Sequence, residues 1–219
     1  MNCDPIARFY RWMEFAAFGK ALMRRRLAYL PELRAARQIL VLGDGDGRAL
    51  QALLTAAPLA TIDSIDLSAR MLELARAMAG DERVRHHRGD ARSMAFPCSG
   101  YDAIVTHFFL DCLSESETAA LTARLRDAAG PNALWVISEF QQDTWWRSMA
   151  VRFLYAFFSL TTGLRIRRIP DYRSALRQNG FAPVARQTAW RGLLCSELWR
   201  AAPAPVPGKI TNDNLPVLQ

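Results

Sequence analysis

Three glycines at alternate positions, Gly43, Gly45 and Gly47, interrupt the apolar run Ile39-Leu40-Val41-Leu42. A glycine turn of this kind lets the backbone approach a ligand that any Cβ would push away. Asp44 and Asp46 lie between the glycines. There they either offer negative charge to that ligand or serve the turn and cap the helix that follows. Asp66 comes about 20 residues later, a separation that suits a carboxylate accepting hydrogen bonds from ribose hydroxyls. His107 closes the run Tyr101-Asp102-Ala103-Ile104-Val105-Thr106, and Asp111 stands one helical turn further on. A histidine with a pKa near ~6.5 suits a general base, and it can equally orient a substrate or pack against a ligand. Asp111 is placed to orient His107, to act itself or to cap a helix.

These residues need strands to aim them. The spacing of apolar and β-branched runs predicts strands at 38–43, 61–66, 83–87, 101–107 and 132–139. Helical patterns fall between them at 47–57, 69–79 and 115–129. Such alternation implies a parallel sheet with right-handed crossovers and helices on both faces. Gly43, Asp66, Asp90 and His107 all fall at the carboxyl ends of strands, which is where open α/β sheets bind ligands. A helix ending at Asn179-Gly180 and two more strands, at 183–190 and 193–200, complete a seven-stranded sheet.

With those residues in view, the chain resembles the class I S-adenosylmethionine (SAM)-dependent methyltransferases. Gly43-x-Gly45-x-Gly47 after a strand is similar to that family's first motif, and Asp66 stands where its second strand should end. Arg88-Gly89-Asp90-Ala91 resembles its third-strand motif, in which the aspartate accepts from the adenine amino group. Tyr101 to His107 resembles its fourth-strand signature. The resemblance covers about residues 36–140 and implies a Rossmann-like, mostly parallel sheet with an antiparallel last strand. It implies SAM as cofactor, held by Gly43, Asp44, Gly45, Asp46, Gly47, Asp66, Leu67, Met71, Asp90, Ala91 and His107. One departure is Val41, where the family usually carries an acid; Asp44 or Asp46 is placed to supply that charge. Ile6 to Glu14 is similar to the N-terminal segment of the ubiquinone/menaquinone-type members, whose tyrosine lines the pocket. Tyr10 takes that position here, beside His107 and Asp111 as candidate catalytic residues.

Other cofactors fit less well. The dinucleotide fingerprint spaces its third glycine differently, and a P-loop needs a Gly-Lys-Ser/Thr ending that is absent. Cys3, Cys98, Cys112 and Cys195 form no C-x-x-C pair, and His86, His87 and His107 lack ligand spacing, so no metal is expected. The chain of 219 residues, 51% hydrophobic and 22% charged, is that of an ordinary globular domain. Arg8, Arg11, Glu14 and Lys20 interrupt the N-terminal apolar stretch, so a cytoplasmic protein is expected. Net charge +7 favours anionic partners. No nucleic-acid-binding module is recognisable, so nucleic acid is not the expected partner, and the resemblance to the quinone-type members implies a small lipophilic or aromatic acceptor. Phe108, Phe109, Trp145 and Trp146 are candidate walls for it.

One domain is expected over 1–201, with a helical cap at 1–35, a cofactor-binding core at 36–140 and a helical lid at 141–170. A C-terminal helix and hairpin follow at 171–201, then a disordered tail at 202–219. The apolar stretch 151–164 is too short to cross a bilayer and is flanked by arginines. It reads as a substrate lid, a homodimer contact or an interfacial helix on a membrane surface. Arg24-Arg25-Arg26 reads as a solvated helix face. The readings left open are a methyltransferase and a SAM-binding protein without that chemistry.

Overall fold

The computed structural model describes residues 18–152 and 168–202. Tyr10 and the cap before residue 18, the greater part of the apolar stretch 151–164, and the tail from residue 203 therefore lie outside the described residues. The strands are β1 (Gln38–Leu42), β2 (Thr61–Asp66), β3 (Val84–Arg88), β4 (Tyr101–His107), β5 (Ala129–Phe140), β6 (Phe181–Ala189) and β7 (Leu194–Ala201). They form one sheet in the order β3-β2-β1-β4-β5-β7-β6. Strands β1 to β5 pair in parallel, and β7 runs antiparallel between β5 and β6. This is the Rossmann-like arrangement expected from the sequence.

The α-helices are α1 (Ala21–Arg26), which precedes β1, and α2 (Arg48–Ala56), α3 (Ala69–Met78), α4 (Glu115–Ala128) and α5 (Tyr172–Gln178) between the strands. Residues 145–152 are also helical. Alternation along β1 shows how the sheet is held. Ile39 and Val41 enter one buried cluster while Leu40 and Leu42 enter the other, so both faces are covered. Helix α2 buries Ala49, Leu50, Leu53 and Leu54, a stripe at helical spacing that packs on the sheet. Helix α4 starts at Ser114 with a reciprocal capping box to Glu117, which satisfies amides that the helix itself leaves unpaired.

Two polar clusters inside the sheet are paired. Asp63, fully buried in β2, accepts from the Tyr101 hydroxyl at 2.9 Å, Arg85 Nη2 at 2.8 Å and meets His87 Nε2 at 2.8 Å. Trp135 donates to Thr106 Oγ1 at 3.0 Å, tying β5 to β4 deep in the core. Strand β6 starts two residues earlier than its sequence pattern suggests and contains Pro183 at a register shift, which an edge strand tolerates. Among the described residues no helix is long and apolar enough to cross a membrane.

The strand order reverses between β1 and β4. Connections there leave toward opposite faces, so a crevice opens beyond the carboxyl ends of these two strands. That crevice is the site.

Candidate cofactor and acceptor site

A cleft of about 830 Å³, counting its open mouth, lies at that switch point. It is lined by the turn after β1, the ends of β2 and β3, the loop after β4, and Arg26 from α1.

The turn after β1 divides the two aspartates. Gly45 has φ +74° and nothing within 4 Å of where a Cβ would stand, so its backbone faces open space. Gly47, at φ +85°, caps α2, and a Cβ there would meet the Ala75 backbone at 2.6 Å. Gly47 is thus required by the packing of α2 on α3 and does not line the cleft. Asp46 forms an ion pair with Arg48 at 2.7 Å and is likewise outside the lining. Asp44 is different. It is 7% exposed, its Oδ2 accepts from the Leu50 amide at 3.1 Å, and its Oδ1 has no hydrogen-bond partner among the described residues. Burial raises its pKa from 3.8 to about 7, although Arg26 pulls the other way.

Asp66 ends β2 with Oδ1 held by the Ser68 amide at 2.8 Å, and Leu67 and the buried Met71 stand beside it in the cleft. Asp90 and Ala91 line the cleft too. Both Asp90 oxygens already accept from Arg92, at 2.6 to 3.0 Å, and this pairing holds the Asp90 carboxyl below the usual carboxylate range. Any adenine contact from Asp90 is therefore shared with Arg92.

The fourth-strand residues require two corrections. His107 is buried, and burial together with the nearby Arg26 pushes its pKa down to about 3. The ring is neutral at physiological pH and a much weaker base than its free value suggests. Nor does Asp111 orient it: His107 Nδ1 meets Ser138 Oγ at 3.2 Å, and Nε2 has no partner among the described residues. Asp111 is buried beside Glu139 instead. Burial, and then the charge of Asp111, raise the Glu139 carboxyl well above its ordinary range.

Sequence reasoning missed three residues. Arg26 is only 3% exposed, which corrects the solvated face expected for the arginine run; it lines the cleft with its guanidinium 5.5 Å from the Phe108 ring centre. The available signal was its position one helical turn after Leu22, which is also buried. Glu139, at the end of an otherwise apolar strand, accepts from the Phe109 and Leu110 amides at 3.0 and 2.8 Å and so shapes the loop after β4. Ser138 supports His107. In that loop Phe108 has φ +52°, strained for an aromatic residue, and both Phe108 and Phe109 form cleft walls. Trp145, 81% exposed, and Trp146 are not part of the lining.

The sequence of residues 39–132 matches the methyltransferase domain family. Residues 39–132, less than half of the chain, therefore carry the likeness to a methyltransferase domain. A malonyl-[acyl-carrier protein] O-methyltransferase of Halalkalibacterium halodurans is 35% identical over 115 residues, covering 50% of this chain and 41% of that protein. The chain thus spans less than half the length of this curated relative. Among solved structures, the apo SAM-dependent methyltransferase SibL superposes with a TM-score of 0.65 at 24% identity, covering 89% of this chain and 58% of that one. A SAM-dependent methyltransferase from Mesorhizobium loti gives 0.64 at 20% identity, covering 84% of this chain and 97% of its own. These likenesses are in the fold.

SAM is the cofactor of this family, and the cleft fits it. The open space at Gly45 suits a close backbone approach. The partnerless oxygen of Asp44 suits a cation, and Asp66 is held at the strand end where a ribose is read.

Proposed function

We propose that this protein transfers the methyl group of SAM to a small lipophilic or aromatic acceptor. The observation that carries the reading is the buried Asp44 carboxylate, whose Oδ1 lacks a hydrogen-bond partner among the described residues, in a glycine turn that shares one cleft with Asp66 and Arg26. A buried carboxylate oxygen is costly unless something cationic meets it. The α-ammonium of SAM has the right charge, and the guanidinium of Arg26 is the complementary partner for its carboxylate. Asp44 thereby takes the role that Val41 cannot fill. Asp66 would hold the ribose, while Met71 and Ala91 offer apolar surface to the base.

When bound, SAM supplies an electrophilic methyl on a sulfonium. The protein's own contribution is to orient the acceptor and keep water out. Phe108, Phe109, Cys112 and Leu113 give the cleft an apolar wall next to His107, which supports a lipophilic or aromatic acceptor. Burial holds the Cys112 thiol in its neutral form, so it acts as part of that wall.

The test is release of S-adenosylhomocysteine (SAH) from SAM by the purified protein with a panel of phenols, hydroquinols and acyl compounds. Acceptor-dependent SAH release from the aromatic or lipophilic members is expected. Tight SAM binding with no turnover on any class would leave a cofactor-binding protein and overturn the transferase reading.

A further inference from the structure

The His107 tautomer follows from its surroundings. Ser138 is fully buried and its Oγ lies 3.2 Å from His107 Nδ1 and 3.0 Å from the Arg25 carbonyl oxygen. A serine hydroxyl carries one hydrogen. If that hydrogen pointed to Nδ1, Ser138 Oγ and the Arg25 oxygen would face each other without a proton between them. The histidine would then carry its own hydrogen on Nε2, leaving a buried donor unpaired. If the hydrogen points to Arg25, Ser138 Oγ accepts from Nδ1–H, and the unpartnered atom is an Nε2 lone pair. Unpaired buried donors are rarer than under-satisfied acceptors, so the second arrangement wins.

This arrangement is fastened from outside the site. The Arg25 carbonyl also accepts from Ser196 Oγ at 2.7 Å, so two hydroxyls, on β5 and β7, seat the end of α1. The next residue is Arg26, which enters the cleft. The peptide that places the Arg26 guanidinium therefore also claims the Ser138 hydrogen.

The geometry points to Ser138 as a positioning residue that holds His107 in its Nδ1–H tautomer. Nε2 then keeps a bare, buried lone pair within a residue that lines the cleft, and the acceptor group that fits it carries a neutral O–H or N–H rather than a carboxylate. A carboxylate would meet that lone pair with its own, and would enter a cleft already lined by Asp44, Asp66 and Asp90, whose Arg26 is assigned to the carboxylate of SAM. Arg92, on the same wall, is taken up by Asp90 and Glu117. A hydroxyl or amine hydrogen instead completes the one hydrogen bond that His107 lacks. The lowered basicity of the ring agrees, since it keeps Nε2 unprotonated. This inference rests on the transferase reading for its acceptor. The tautomer itself does not.

The experiment is long-range 1H–15N correlation on the full chain with 15N-labelled histidine, His107 being assigned with His107→Asn. Wild type should show protonated Nδ1 and bare Nε2 at His107, the less populated form of free histidine, unchanged between about pH 6 and about pH 8. Ser138→Ala should shift His107 toward the Nε2–H form, and Ser138→Thr, which keeps the hydroxyl, should restore the wild-type pattern. With SAH bound, phenol should move the Nε2 resonance toward its hydrogen-bonded position while benzoate leaves it in place. An Nε2–H wild type, or a Ser138→Ala pattern identical to wild type, would overturn the positioning role. A response to benzoate without one to phenol would overturn the acceptor class. Failure to bind SAH in calorimetry would strike the transferase reading and leave the tautomer result standing.

Discussion

Replacing Asp44 by asparagine should make the protein more stable and its cofactor site worse. Burial raises the Asp44 pKa from 3.8 to about 7, so folding takes up a proton between those values. A folded pKa above the unfolded one means that this group's contribution is full below about pH 4 and is lost as pH rises to about 7. Three pH units at 1.36 kcal/mol each make the ionised carboxylate cost about 4 kcal/mol above pH 7. Asparagine keeps an oxygen for the Leu50 amide and carries no charge. Asp44→Asn should therefore gain up to about 4 kcal/mol near pH 8, falling to about 2 kcal/mol near pH 5. For a domain of this size that is a rise in Tm of roughly 8–16 °C at the higher pH. The same change removes the ionic partner of the SAH ammonium, a loss of about 2–5 kcal/mol, or at least about 30-fold in affinity. Scanning calorimetry at the two pH values and titration with SAH measure both effects. Misfolding cannot imitate them, because the stability and the affinity move in opposite directions. A variant with lower Tm at pH 8 and unchanged SAH affinity would make Asp44 a turn residue and refute the reasoning.

Three further outcomes are expected. Asp66→Ala should weaken SAH binding by about 10- to 150-fold, the value of losing hydrogen bonds to a charged group, with the far-ultraviolet circular dichroism spectrum intact; calorimetric titration decides it. Gly47→Ala places a Cβ 2.6 Å from the Ala75 backbone at φ +85°, and should lower stability by about 2–4 kcal/mol in urea unfolding. Glu139→Gln should leave stability near that of wild type at low pH and raise it at alkaline pH. The parent carboxyl, raised by burial and Asp111, loses its contribution as pH climbs through its folded pKa, and Tm against pH records the difference.

The centre of the sheet was legible because β1 and β4 are buried on both faces and carry the apolar runs Ile39–Leu42 and Ala103–Val105. Thr61–Asp66 and Tyr101–His107 coincide with the expected strands, and the glycine turn sits where a strand meets a helix. Gly43, Asp66, Asp90 and His107 were readable as positions at strand ends, while Asp44, Gly45, Leu67, Met71 and Ala91, which line the cleft with them, came with the family resemblance. What could not be read was which charges are spent locally. Asp46 pairs with Arg48 two residues away and Asp90 with Arg92, whereas Asp44 Oδ1 has no hydrogen-bond partner among the described residues. Arg26 looked like its solvated neighbours because its burial depends on the β-sheet surface that α1 meets. His107 looked like a base because its lowered pKa comes from burial and from Arg26, neither of which is encoded beside it. Tertiary placement decides such cases, and local pattern cannot.

The central claim is that this cleft binds SAM. Isothermal calorimetry of the purified protein with SAM and SAH, run alongside ATP and NAD, tests it most directly. Micromolar binding of SAM and SAH, with neither nucleotide competing, is the predicted result. Absence of SAM and SAH binding, or displacement of either by ATP or NAD, would contradict the account.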